Sequence, residues 1–213
     1  EYRMHVQPAV RAMRELVADG FIGDVTHVHG NMSQPMLDIN PNPDQWRLNP
    51  DLAGPGASVT DLGVYSINTT RFVIDRDPVA VTAVDWSGSE GFEDVPDERA
   101  AFTVEFEDGV LAACTASQNA QEASNLRVIG TEGELLLEDA FLSGERKLTI
   151  TRDETTITTE FDQVEETKRS LGYFGDHVLT DTPIYGDGDH GLVDQHAIDS
   201  VYEAAEKGER VEL

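Results

Sequence analysis

Residues 100–117 read "AAFTVEFEDGVLAACTAS", a stretch in which apolar and polar side chains alternate with a period of two. Phe102, Val104 and Phe106 fall on one side, and Ala101, Thr103 and Glu105 on the other, as a half-buried strand requires. Asp108-Gly109 is the two-residue turn of a hairpin. The same grammar runs from Pro78 to about Phe161: "LRVIGTEGELLLED" turns at Glu132-Gly133, and "KLTITRDETTITTEF" turns at Asp153-Glu154. These repeats predict an antiparallel meander.

Helical spacing flanks it. In "QPAVRAMRELVAD" (7–19), Val10, Met13, Leu16 and Val17 share a face, with Pro8 near the start and Gly20 as the stop signal. "DVTHVHGNMS" (24–33) reads as a further strand, with His27 and His29 expected to divide between the helices and solvent. Residues 34–56 form a long Pro/Asn/Gly loop, and loops of that length are usually functional. A helix is expected from about Ser58, as N-cap, to Ile74, followed later by helices in about 163–181 and 190–207. The fold class is therefore α+β: a large open antiparallel sheet with helices packed on one face. Small or apolar residues on both sides of "VLAACTAS" leave the other face available for oligomerisation with a second copy.

Composition narrows the function. The chain has 213 residues, 39% of them hydrophobic, enough for a sizeable core. Its 41 acidic residues against 15 Lys plus Arg give a net charge of −26. Such a balance argues against a nucleic-acid partner, which needs a concentrated basic surface. Carboxylates spread along the whole length suit a halophilic protein, kept hydrated where ~1 M salt shortens the Debye length to ~3 Å; an ordinary acidic mesophile is the alternative. No run approaches the ~20 apolar residues of a spanning helix, so no membrane is expected. Cys114 is the only cysteine; in an apolar strand it reads as a buried structural thiol, in keeping with a reducing, cytoplasmic setting. The sequence opens on Glu1 inside an already patterned segment, which suits a piece of a longer protein.

Chemistry concentrates in "DLGVY" (61–65). On a helix, Asp61 and Tyr65 stand at i and i+4 and leave the same face. Spacing alone leaves two readings open. Tyr65 is either a proton acceptor with Asp61 orienting a hydroxyl, or a core aromatic with Asp61 as a partner of the helix dipole. "GPGASV" (54–59) lacks the third glycine and the preceding strand of a dinucleotide loop. "YGDGDHG" (185–191) reads as a capped, solvated loop rather than a calcium site, and no zinc spacing occurs, so no metal is expected.

"EYRMHVQPAV", "DQWRLNPDLAGPGASVTDLGVYSINTTRFVI", "GTEGELLLED" and "AIDSVYEAAEKGERVEL" resemble, in that order, the C-terminal half of the Gfo/Idh/MocA oxidoreductases, nearest to the glucose-fructose oxidoreductase and D-xylose dehydrogenase branch. The D-x-G-x-[HY] helix motif with its upstream W-R carries most of the likeness. It implies that residues 1–213 are a substrate-binding and oligomerisation domain, with the N-terminal Rossmann domain absent from this chain. The implied activity is NADP-dependent oxidation of an aldose, D-xylose-like, at C1 to a lactone. In that family the implied catalytic residues are Tyr65 and Asp61, assisted by a lysine of the absent half, and Trp46 and Arg47 would border the NADP cofactor and the sugar. The glucose-fructose oxidoreductase branch carries tyrosines after the strand corresponding to about 134–138, where this chain has Phe141 and Leu142. Two other readings remain: a dihydrodiol or inositol dehydrogenase of the same family, and a non-enzymatic dimerisation or ligand-binding domain.

Overall fold

The structure, a computed structural model, describes residues 2–42 and 44–213. Helix α1 (Pro8–Ala18) begins where the Gln7 side chain accepts from the Ala9 N–H at 3.0 Å, and Pro8 occupies the first turn, where its missing N–H costs nothing. It buries Ala9, Val10 and Met13 completely, each of the two larger side chains contributing ~1.5–3 kcal/mol. Gly20, at φ 69°, turns the chain out of it.

The nine strands among the described residues are β1 (Val25–Pro35), β2 (Pro78–Trp86), β3 (Arg99–Phe106), β4 (Leu111–Ser117), β5 (Asn119–Gly130), β6 (Gly133–Glu138), β7 (Arg146–Arg152), β8 (Thr155–Phe161) and β9 (Val211–Glu212). They form one open sheet in the order β8-β7-β6-β5-β1-β4-β3-β2-β9. The α+β class and the hairpins at 108–109, 132–133 and 153–154 are as the sequence predicts. Asp108 and Asp153 take left-handed backbone at φ 58° and 53°, tolerable because a short polar side chain can bond locally.

The sheet departs from a pure meander at two places: β9 pairs with β2 at one edge, and β1 is inserted at the centre. β1 lies between β4 and β5, antiparallel to β5 but parallel to β4, with Gly30 opposite Cys114 and Leu126. Period two sets which face a side chain takes, not which strand stands alongside, so this insertion left no mark in the pattern. His27 and His29 are both exposed on the open face rather than divided between faces, as residues two apart on a strand must be.

Helix α2 (Val64–Ile74) is buried from Ser66 to Ile74 and crosses the sheet at Gly30, where a Cβ would stand 2.6 Å from Ser66 Oγ. Only glycine permits that approach. Helix α3 (Glu166–Thr180) has no buried residue and touches the body through the 3₁₀ turn Arg3–Val6. Helix α4 (Gly188–Lys207) starts where Asp187 accepts from the His190 N–H at 3.0 Å, the capped loop expected at 185–191. The shared core includes Val28, Phe102, Val104, Leu126, Leu135 and Val201. Cys114 is buried in it, its thiol pushed up to about 12 by burial, and is inert. No helix among the described residues is long and apolar enough to cross a membrane.

Candidate active site

The segment that carries Asp61 is not the plain α-helix the sequence suggests. Residues Val59–Gly63 form a π-turn that runs into α2. Ser58 does not cap it; its hydroxyl donates to the Glu98 carbonyl at 2.8 Å. The cap comes instead from Asp97, forty residues downstream in sequence from Ala57. Its buried carboxylate accepts the N–H groups of Ala57, Ser58 and Val59, the last two at 2.8 and 2.7 Å. Burial pushes the Asp97 carboxyl up, and these amides together with Tyr202 oppose the rise without cancelling it. Tyr202 Oη donates to Asp97 at 2.7 Å and accepts from the Thr60 N–H at 3.2 Å. Burial and the adjoining carboxylate push the Tyr202 phenol up, so it stays protonated and keeps donating.

The widened turn keeps Asp61 and Tyr65 on one side, and both open into a cleft of about 400 Å³ that Tyr2, Arg3, Trp46 and Asn68 also line. Asp61 accepts from Arg47 Nε at 2.6 Å and Nη2 at 3.3 Å, and from Gln118 Nε2 at 2.8 Å. All three partners are donor-only at those atoms, so Asp61 acts as an acceptor. Trp46 is 44% exposed at the rim, with the Arg47 guanidinium 4.4 Å from its ring centroid. Arg47 itself faces Asp61 rather than lining the cleft.

Tyr65 is half-buried and its hydroxyl accepts from Arg3 Nε at 3.0 Å. The Arg3 guanidinium also sits 4.7 Å from the Tyr65 ring centroid, pairs with Glu166 of α3 and donates to the Phe141 carbonyl. Phe141, buried, packs on the Tyr65 ring and offers no hydroxyl there. The sequence brought forward Asp61, Tyr65, Trp46 and Arg47; the first three line one cleft, and Arg47 stands behind Asp61. It missed Arg3, Gln118 and Asp97. Arg3 lay in the quoted stretch "EYRM", but no spacing rule links it to a residue sixty-two positions on.

The sequence model of the GFO/IDH/MocA C-terminal domain matches residues 10–136. The chain belongs to the GFO/IDH/MocA family. Among curated GFO/IDH/MocA relatives, D-xylose 1-dehydrogenase [NADP(+)] of Haloarcula marismortui is 47% identical over 213 residues, all of this chain and 59% of the relative. D-xylose 1-dehydrogenase (NADP(+)) 2 of Haloferax volcanii is 31% identical over 216 residues, all of this chain and 62% of the relative. Among solved structures, the aldose-aldose oxidoreductase from Caulobacter crescentus complexed with glycerol superposes with a TM-score of 0.91 at 28% identity, covering all of this chain and 63% of that one. The chain thus spans about three fifths of the length of these relatives.

Proposed function

We propose that this chain is the substrate-binding and oligomerisation part of an NADP-dependent aldose dehydrogenase that oxidises a D-xylose-like sugar at C1 to a lactone. The single observation that carries the reading is the shared cleft of Asp61 and Tyr65, with a guanidinium on the phenol. The two haloarchaeal relatives named as xylose dehydrogenases support the substrate class, and their greater length supports a nucleotide-binding domain outside these residues.

The residues present fit the reacting end of the cofactor and not its phosphates. Arg3 and Arg47 are already committed to Tyr65, Glu166 and Asp61, whereas the exposed Trp46 ring at the rim offers a flat wall for a nicotinamide. When bound, NADP supplies the acceptor for the hydride that leaves C1. Tyr65 Oη takes the proton of the anomeric hydroxyl, and the C1–O1 bond becomes the lactone carbonyl. Arg3, whose Nε donates to that oxygen at 3.0 Å, places a positive charge beside it as the proton moves. Asp61, with Oδ1 held only by the longer Arg47 contact, accepts a hydrogen bond from the sugar.

Tyr65→Phe in the protein joined to its nucleotide-binding domain lowers turnover of D-xylose with NADP by about two orders of magnitude. A loss under tenfold removes the role of Tyr65 as base. Oxidation of cyclic diols with no activity on any aldose removes the sugar assignment.

A further inference from the structure

Gln118 is fully buried at the one-residue junction between β4 and β5, and every polar atom of its amide has a partner there. Its amide has a single workable orientation. Arg47 makes Asp61 an acceptor, so the edge of Gln118 that meets Asp61 must be its NH₂, which donates to Oδ2 at 2.8 Å and to the Ala57 carbonyl at 3.3 Å. The amide oxygen then faces Gln34, whose Nε2 donates to it at 2.7 Å. Gln34 lies outside the cleft, and Gln118 does not line it either. The pair touches the site only through Asp61.

We propose that Gln118 is the positioning residue for Asp61, and that Gln34 fixes the direction of its amide. Two donors converge on Oδ2, from Arg47 on one side and Gln118 on the other. Oδ1 meets only the longer Arg47 contact at 3.3 Å. The carboxylate is thereby held with one oxygen saturated and the other turned to the ligand. The Ala57 bond ties the same amide to the segment that Asp97 clasps, so the acid and the start of its turn are aligned together.

The catalytic part of this inference rests on the aldose dehydrogenase reading, and the test separates the two. Gln118→Met keeps length and removes the donor; Gln34→Leu leaves Gln118 in place and removes only what orients it. In the protein with its nucleotide-binding domain, each variant lowers kcat for D-xylose, Gln118→Met by between about tenfold and a hundredfold, with KM changing less. In an Asp61→Ala background neither variant lowers kcat further, because the group they position is gone. In crystal structures of both variants, the Asp61 carboxylate rotates away from its bidentate contact with Arg47. Losses that add to those of Asp61→Ala, or an Asp61 that stays in place in both variant structures, overturn the proposal. If the unaltered protein oxidises no aldose, the functional reading falls by itself, and the variant structures still decide whether Gln118 and Gln34 position Asp61.

Discussion

Arginine can only donate, so the Arg3–Tyr65 contact obliges the phenol oxygen to accept and turns its own O–H elsewhere. Arg3→Met therefore lowers turnover by about tenfold to a hundredfold while leaving Tyr65 in place against Phe141; steady-state kinetics on D-xylose checks the first and a crystal structure the second. Asp61→Ala removes most of the activity, leaving a small but measurable kcat, with an unchanged circular dichroism spectrum, since its partners Arg47 and Gln118 both keep other contacts. At this scale the sequence was half legible. Asp61 and Tyr65 were found because a helix makes neighbours of residues four apart. Gln118 stands fifty-seven positions from Asp61, and no local periodicity encodes a contact across that interval.

The π-turn is the element on which the site depends, and the Asp97 carboxylate fastens its start. Asp97→Ala strands three buried amides and costs roughly 3 kcal/mol of stability, read by urea unfolding in molar salt; Tyr202→Phe, which removes one donor and one acceptor, costs less. The neighbouring Glu98 carboxylate points the other way and holds the loop at Gly88 and Ser89. It accepts from the Ser89 N–H and hydroxyl, both at 2.9 Å, and from Arg99 and Asn119. Burial pushes its carboxyl up, but these donors outweigh the burial and leave it at about 2. A folded value below the unfolded ~4.3 means that Glu98 stabilises the fold above that pH and loses its contribution as pH falls toward 2. Acid unfolding of Glu98→Gln, compared with the parent, shows a shallower dependence over that interval. The helix was legible from its motif, whereas its widened first turn was not, because the acid that shapes it arrives from the far end of another loop.

The whole molecule carries a net charge of −26, yet two cross-strand rows of its open sheet face contain no acidic residue. One cross-strand row there reads Arg127, His29, Ala113, Thr103, Thr82, and the next Asn125, Asn31, Thr115, Ala101, Val84. In a protein this acidic, such a patch supports the proposal that two copies meet face to face. Light scattering in molar salt returns an oligomer; a monomer there removes it. Dilution to low salt, where the Debye length reaches ~30 Å at 0.01 M, loosens the fold through self-repulsion, visible as a falling Tm by circular dichroism.

The place of β1 at the centre of the sheet, flanked by strands some ninety positions later in the chain, governs the order of assembly. The two halves of the sheet meet only across that strand, so neither can dock on the other until the earliest and the middle segments of the polypeptide have found each other. Distant pairing of this kind makes for a slow folder, on the ms–s scale of sheet-rich topologies. It also means that severing the backbone anywhere between β1 and β2 yields two fragments, the later of which is left with a gap at its middle.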